Sequence, residues 1–343
     1  MNRVQPVDTT ELKTGQAMTV QRLEAPYGDW GDRLVEFMYL RHPEYTNCSW
    51  HHNCRRIVAG EFVEVSRDVF FVGLIGDEIA GTAWYGTAAD HSEVGTFGRV
   101  ITVAHHRRKG VSTVLCQRAL DDFGARGGHV MHLGTSLNNP AHRVYESIGY
   151  RHYNWLEGNG TVMRAVLRGA YEDFESGYFA AGRAVSLRPL HWGDLARVEL
   201  LVNLPHWFLK DYTRRVLGHM PFEGQFFDLM DGLKAEAGQA LVTDQRRLVG
   251  LAYAAPTGAG GHAQDHVRVI EFLAHPNYAE EGARLVSAVV AATKAPRLLS
   301  YASALDVQKC ETLEEAGFER EAVLAGVLQD ETSEFDMYVY GRG

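Results

Sequence analysis

Three short stretches of the chain recur at almost one spacing, and this constrains the fold more than any other feature. Ile79-Ala80-Gly81-Thr82-Ala83-Trp84 aligns with Leu248-Val249-Gly250-Leu251-Ala252-Tyr253 at an offset of 169. "ITVAHH" from Ile101 is echoed by "EFLAHP" from Glu271 at an offset of 170. "VYESIGYRHY" from Val144 is echoed by "TLEEAGFERE" from Thr312 at an offset of 168. Such a period is too long for a solenoid repeat, so the chain reads as two copies of one domain. The expected boundaries are 18–170 for the first copy, 171–183 for a linker and 184–343 for the second. The 343 residues leave room for two ordinary domains.

Within each copy the expected order is helices, a hairpin, a strand, a helix, a strand, a helix and a final strand. The hairpin turns at Gly76-Asp77, and β-rich alternation marks "VFFVGLI" and "VGTFGRVITV" as strands. Val111, Val114, Leu115, Ala119 and Phe123 recur at helical spacing, and Gly127-Gly128 stops that helix. "HVMHLGT" begins the next strand. A second helix opens at "NNPAHRVYESIG", with Asn139 as N-cap, Pro140 in the first turn and Gly149 as terminator. The fold class is α/β of the α+β kind, with two tandem domains, each a mixed, mostly antiparallel sheet flanked by helices.

One loop of the first copy concentrates charge. In "TVAHHRRKGVS", from Thr102, the run Arg107-Arg108-Lys109 stops at Gly110, where an apolar helix starts. The first turn of a helix leaves backbone N–H groups unpaired at the positive end of the dipole, a favourable place for an anion. Gly110 allows close backbone approach, and Ser112 is small. The segment lacks the Gly-Lys-Ser/Thr ending of a Walker loop and the GxGxxG of dinucleotide folds. A pyrophosphate cradle of another kind remains.

Arg107-Arg108-Lys109-Gly110-Val111-Ser112 resembles the R/Q-x-x-G-x-G/A loop of the GCN5-related N-acetyltransferase (GNAT) superfamily. The run from Asn138 to Tyr150 is similar to that family's second hallmark, N-x-x-A-x-x-(apolar)-Y-x-x-x-G-(F/Y). Both motifs occur in order, and the resemblance covers most of residues 18–165 and, more faintly, the second half. Two departures stand out. Ser112 replaces the usual last glycine or alanine, and the strand-to-loop spacing leaves either Thr102 or Val103 at the family's valine position.

The resemblance implies a coenzyme A thioester, acetyl-CoA, as co-substrate. It would be bound by the strand residues Ile101, Thr102 and Val103, by the loop and helix start Arg107, Arg108, Lys109, Gly110, Val111, Ser112 and Thr113, and by Asn138. It also implies that Tyr145 protonates the leaving thiolate, while a base or water chain takes the ammonium proton of the acceptor. For that base Glu93 is the leading expectation, with Asp90, His91 and His132 as alternatives. His105 and His106 would serve as metal ligands only if partners converged on them, and no metal is expected.

"CSWHHNC" (Cys48 to Cys54) lacks the second cysteine pair of a structural zinc site. It falls where this superfamily builds its acceptor pocket, so Tyr45 and Trp50 are expected substrate contacts. The second copy has Asn277-Tyr278-Ala279-Glu280-Glu281-Gly282 opposite the basic loop and Leu313 opposite Tyr145. Carboxylates there would repel a pyrophosphate, so the second copy is expected to be degenerate.

The formal charge of −9 disfavours a general nucleic-acid binder. No apolar run approaches the ~20 residues of a membrane span, and the first residues lack the core of a signal peptide. Four scattered cysteines do not make a disulfide framework, so a cytoplasmic location is expected. The expected protein is an acyltransferase, monomeric or homodimeric. It moves an acetyl group to the amine of a small-molecule acceptor by direct attack, since Cys116 lies inside a helix. The alternatives are a non-catalytic coenzyme A-binding module and an O- or longer-chain acyltransferase.

Overall fold

In the computed structural model the described residues are 4–41, 49–156, 159–204, 226–227, 229–231, 238–256, 266–329 and 333–343. They cluster into two units. The first takes the described residues of 1–174, 192–200 and 220–227, and the second takes those of 175–191, 201–219 and 228–343.

The first unit is built on strands β1 (Val4–Glu11), β2 (Ala17–Glu24), β3 (Ser66–Ile75), β4 (Glu78–Ala88), β5 (Val94–Thr102), β6 (Val130–Ser136), β7 (Arg151–Leu156) and β8 (Gly160–Val166). They form one sheet in the order β1-β2-β3-β4-β5-β6-β8-β7, antiparallel except for β5 against β6. Its helices are α1 (Trp30–Arg41), α2 (Ser49–Ala59), α3 (Val111–Ala125) and α4 (Ala141–Ser147). Helices α5 (Asp173–Tyr178) and α6 (Leu195–Val202) follow in the chain.

The second unit's sheet comprises β9 (Val185–Pro189), β10 (Gln239–Thr243), β11 (Leu248–Pro256), β12 (Val267–Ala274), β13 (Arg297–Ser303), β14 (Glu319–Gln329) and β15 (Glu334–Arg342). Its order is β9-β10-β11-β12-β13-β15-β14, with β12 and β13 parallel. Helices α7 (Gly282–Ala292) and α8 (Val307–Glu315) flank it. This order matches β2 through β7 of the first sheet strand for strand. The two tandem mixed sheets expected from the sequence repeat are therefore present.

The repeated glycine of the first landmark has one physical reason in both units. A Cβ on Gly81 would lie 2.6 Å from the Ile101 carbonyl oxygen and 2.9 Å from Val111 of α3. A Cβ on Gly250 would lie 3.1 Å from the Leu273 carbonyl oxygen and 3.3 Å from Leu285 of α7. In the first unit the strand, its neighbour and the crossing helix approach too closely for a side chain, and in the second the same approach is tighter than ordinary contact.

Helix α3 buries Val111, Leu115, Cys116, Ala119, Leu120 and Phe123, a single stripe at helical spacing. It packs on Val69, Phe71, Ala83, Tyr85 and Phe97 of the sheet. Full burial of each large apolar side chain contributes roughly 1.5–3 kcal/mol, which holds the helix against the sheet and fixes where its first turn points. The hairpin turn at Gly76-Asp77, the strand from Val94 and the helix stop before Gly128 all stand where the sequence puts them.

Two features differ from the sequence reading. β1 and the first residue of β2 precede residue 18, and they add a hairpin to the sheet's edge. The single final strand is in fact β7 and β8, with β8 inserted between β6 and β7. "RHYNWL" sits on the sheet edge, and its residues 151–155 are exposed or half-buried, so no buried face sets it apart as a second strand.

Candidate active site

β5 and β6 pair over only three positions, Val94 with Val130, Gly95 with Met131 and Thr96 with His132. Beyond Thr96 the register ends and the two strands separate. Arg99 sits in a bulge with φ of 50°, where the pairing of β4 to β5 slips between Thr82 and Trp84. Past that bulge the backbone directions can be read from the ladder. Val103 N–H donates to Ala80 O at 3.0 Å, and Ile101 pairs with Thr82. Ile101 and Val103 are thus turned towards β4, and alternation turns the amides of Val100 and Thr102 towards the gap. Of the three strand residues expected to bind cofactor, Thr102 presents its backbone to the opening; Ile101 and Val103 do not.

The gap leads to the basic loop. A 3₁₀ turn, Ala104–His106, is followed by Arg107, by Arg108 at φ 64° and by Gly110 at φ 96°, from which α3 starts. The first helical hydrogen bond runs from Val114 N–H to Gly110 O, so the N–H groups of Val111, Ser112 and Thr113 are not used by the helix ladder. Arg107 and Arg108 are exposed, and Arg107 Nε donates to Thr102 O at 3.3 Å. The loop thus gathers positive charge and helix-start donors at the mouth of the opening.

Sequence reasoning missed a fourth cation there. The turn between β1 and β2 leans on the loop, with Lys13 N–H donating to Lys109 O at 3.2 Å. The Lys13 stem passes over Gly110, its Cγ 3.5 Å from where a Cβ would stand. Lys109 Nζ reaches Gln16 Oε1 at 3.5 Å and His106 Nδ1 at 3.4 Å. Nothing local in the sequence brings residue 13 to residue 109, because strand pairing does it.

Tyr145 lies in α4, buried at 7% exposure. Its ring meets Phe97 edge-on at 6.1 Å, and Phe97 is the first β5 residue beyond the last β5–β6 pair. The tyrosine is thus set at the apex where the strands part. Burial pushes its phenol pKa up, so the hydroxyl stays protonated through the neutral range. The N-cap of α4 is Pro140, one residue after the expected Asn139, whose Oδ1 accepts from Ala141 N–H at 3.0 Å. Asn138 is exposed in the turn before it. Cys116 is fully buried in α3 and its thiol pKa is also pushed up by burial, which makes it an inert thiol.

Glu93 is not brought to this apex. It precedes β5, four residues before Phe97, a distance of about 13 Å along a strand. Its carboxylate is buried between His91 Nε2 at 2.9 Å and His129 Nδ1 at 3.3 Å. Asp90 accepts from Arg197 Nη2 at 2.5 Å. His132 is fully buried beside the last strand pair, with Nε2 3.1 Å from Arg164 Nε. Desolvation, helped by that guanidinium, lowers its pKa well below 6.5, so the ring is neutral. Tyr45 lies outside the described residues, and Trp50 is in the first turn of α2 with its side chain outside them.

The second unit has the same opening between β12 and β13, which pair only from Val267 with Arg297 to Val269 with Leu299. Its loop is a 3₁₀ segment, Pro276–Glu281, and Glu281 pairs with Arg284 at 2.7 Å. Leu313 is buried in α8 at the place of Tyr145.

Residues 34–150 match the model of the acetyltransferase (GNAT) family. No curated protein sequence matches the chain. Among solved structures, a phosphinothricin acetyltransferase of the GNAT superfamily from Sinorhizobium meliloti, in complex with AcCoA, is 15% identical with a TM-score of 0.38, covering 46% of this chain and 87% of its own. An N-acetyltransferase from Staphylococcus aureus is 10% identical with a TM-score of 0.37, covering 46% and 98%. A spermidine N-acetyltransferase chimera from Vibrio cholerae and hSSAT is 14% identical with a TM-score of 0.35, covering 46% and 93%. Over residues 34–150, which include the basic loop and the parting strands, the chain is similar to the acetyltransferase (GNAT) family.

Proposed function

We propose that the first unit transfers an acetyl group from acetyl-CoA to the amine of a small-molecule acceptor, in the cytoplasm, by direct attack within a ternary complex. The observation that carries this reading is the parting of β5 and β6 directly above Tyr145, with four cationic residues at the mouth. Arg107, Arg108, Lys109 and Lys13, with the N–H groups of Val111, Ser112 and Thr113 that the helix ladder does not use, fit a diphosphate. The gap-facing amides of Val100 and Thr102 fit an extended amide-bearing arm laid along β5 as an added strand. When bound, acetyl-CoA supplies an activated acyl group and a sulfur leaving group.

Tyr145 holds a proton at Oη for that sulfur, in a site dry enough for the proton transfer to count. Cys116 is excluded as a relay by its burial, which supports direct attack. The acceptor must lose a proton, and Glu93, held between two imidazoles away from the apex, reaches it only through water. The second unit, with acids at its loop and Leu313 for Tyr145, is the degenerate partner of the pair.

The test is thiol release from acetyl-CoA followed across a panel of amines and alcohols. Acceptor-dependent release with amines supports the proposal, and release with alcohols alone moves it to O-acyl transfer. Binding of acetyl-CoA without turnover of any acceptor would make the chain a binding module. Absence of both binding and a melting-temperature shift sinks the reading.

A further inference from the structure

Adjacent histidines usually point apart, yet His105 and His106 converge here. The 3₁₀ turn after β5 places their ring centroids 4.3 Å apart. The start of β4 runs beside the end of β5, and this delivers Glu78 between them. Glu78 Oε2 lies 3.1 Å from His105 Nε2 and 3.4 Å from His106 Nε2. One ligand atom from each of the three residues falls within 4.8 Å of the others. Ligand atoms around a four-coordinate zinc at ~2.1 Å stand ~3.4 Å apart, so a small closure completes three of its positions. The ligand set, two imidazoles and one carboxylate, suits a borderline divalent ion such as Zn²⁺, Co²⁺ or Ni²⁺ rather than Mg²⁺ or Ca²⁺. His106 is 6% exposed and provides a fixed wall, while His105 at 62% and Glu78 at 49% leave the fourth position open to water.

We propose that Glu78, His105 and His106 form a divalent transition-metal site on the rim of the basic loop. The site does not depend on the acetyl-transfer reading. It does touch the loop, because His106 Nδ1 is 3.4 Å from Lys109 Nζ. An ammonium only donates, so Nδ1 accepts, and the ring proton sits on Nε2 facing Glu78. A metal ion on Nε2 displaces that proton to Nδ1, and Nδ1 then offers Lys109 no acceptor. Metal and the Lys109–His106 hydrogen bond therefore exclude each other, and the lysine head group is released towards the loop mouth when the ion binds.

The test is titration of the full chain with Zn²⁺ against a chromophoric chelator, repeated with Co²⁺ to read the visible absorption of the bound ion. One site per chain is expected, weakened by about tenfold or more in each of Glu78→Gln, His105→Ala and His106→Ala. Lys109→Met, which removes the competing donor and a like charge, should bind Zn²⁺ several-fold more tightly, a change that loss of packing would not produce. Glu78 and His105 are exposed, so unchanged melting temperatures for their variants would separate lost ligation from lost folding. Wild-type affinity weaker than ~1 mM overturns the proposal, as does wild-type affinity in any of the three ligand variants. An unchanged Zn²⁺ affinity in Lys109→Met overturns the link to the loop.

Discussion

Lys309 Nζ donates to Glu271 Oε1 in the interior of the second unit, the two side chains being 6% and 0% exposed. The same Oε1 accepts from Phe272 N–H at 2.9 Å. Ser300 Oγ donates to Ile270 O at 2.8 Å, so Ile270 faces β13, and alternation turns Phe272 N–H the same way, into the gap between β12 and β13. The corresponding gap-facing amides of the first unit are those of Val100 and Thr102. In the second unit the chain's own carboxylate caps Phe272 N–H, and a lysine from α8 holds that carboxylate in place.

Acetyl-CoA should therefore bind with one equivalent per chain in calorimetry; two equivalents would show the second opening to be usable. Lys309→Met leaves Glu271 buried without its cation, and burial already raises the pKa of that carboxyl. The expected cost is about 3–5 kcal/mol, read from denaturant unfolding of the second unit. The double variant Lys309→Met, Glu271→Met removes both charges and should recover most of that loss.

Reversal of two loop charges, Arg108→Glu with Lys109→Glu, should raise the Kd for acetyl-CoA by about tenfold per charge, with little effect on melting temperature. Neither residue is part of the buried core. The dependence of Kd on ionic strength should flatten at the same time, since fewer cations remain to be screened. Lys13→Glu should behave like a single reversal, although it lies far from the loop in sequence. A Lys13→Glu variant with wild-type Kd would remove the β1–β2 turn from the site.

Tyr145→Phe keeps the edge-on contact with Phe97 and removes only the proton donor. Turnover should fall by about a hundredfold or more while the acetyl-CoA Kd moves by less than about twofold. A parallel loss of binding would make Tyr145 a packing residue of the apex instead.

Much of this site is legible in sequence because it is local. The glycine after three cations, the apolar stripe of α3 and the Asn139-Pro140 turn into α4 each act within a few residues, where spacing reports geometry directly. What the sequence conceals depends on strand pairing. Lys13 reaches Lys109 only because β1 and β2 form a hairpin at the sheet edge. Glu78 reaches His105 and His106 only because β4 runs back along β5. Glu271 and Lys309 likewise meet across 38 positions. Glu93 fails in the opposite sense: it borders the right strand, but at the end where β5 and β6 are still paired. Which end of a strand opens cannot be read from residue type, since it follows from where the ladder stops.

His132 supplies a last test, one of stability. It is neutral and fully buried, with no hydrogen-bond partner at Nδ1 among the described residues and Arg164 at Nε2. Its folded pKa lies well below the ordinary 6.5 because burial penalises the cation. In the unfolded chain the same ring takes up a proton as pH falls through 6.5, so the unfolded state binds more protons than the folded one. The stability it contributes is complete above pH 6.5 and is lost as pH falls from there towards the folded value. The slope approaches about 1.4 kcal/mol per pH unit for one proton. His132→Leu leaves Arg164 without this partner and lowers the absolute stability, but it should also remove one proton's worth of slope between pH 6.5 and 5. Denaturant midpoints measured across that range for both proteins provide the comparison, and parallel curves would mean that His132 is protonated in the fold.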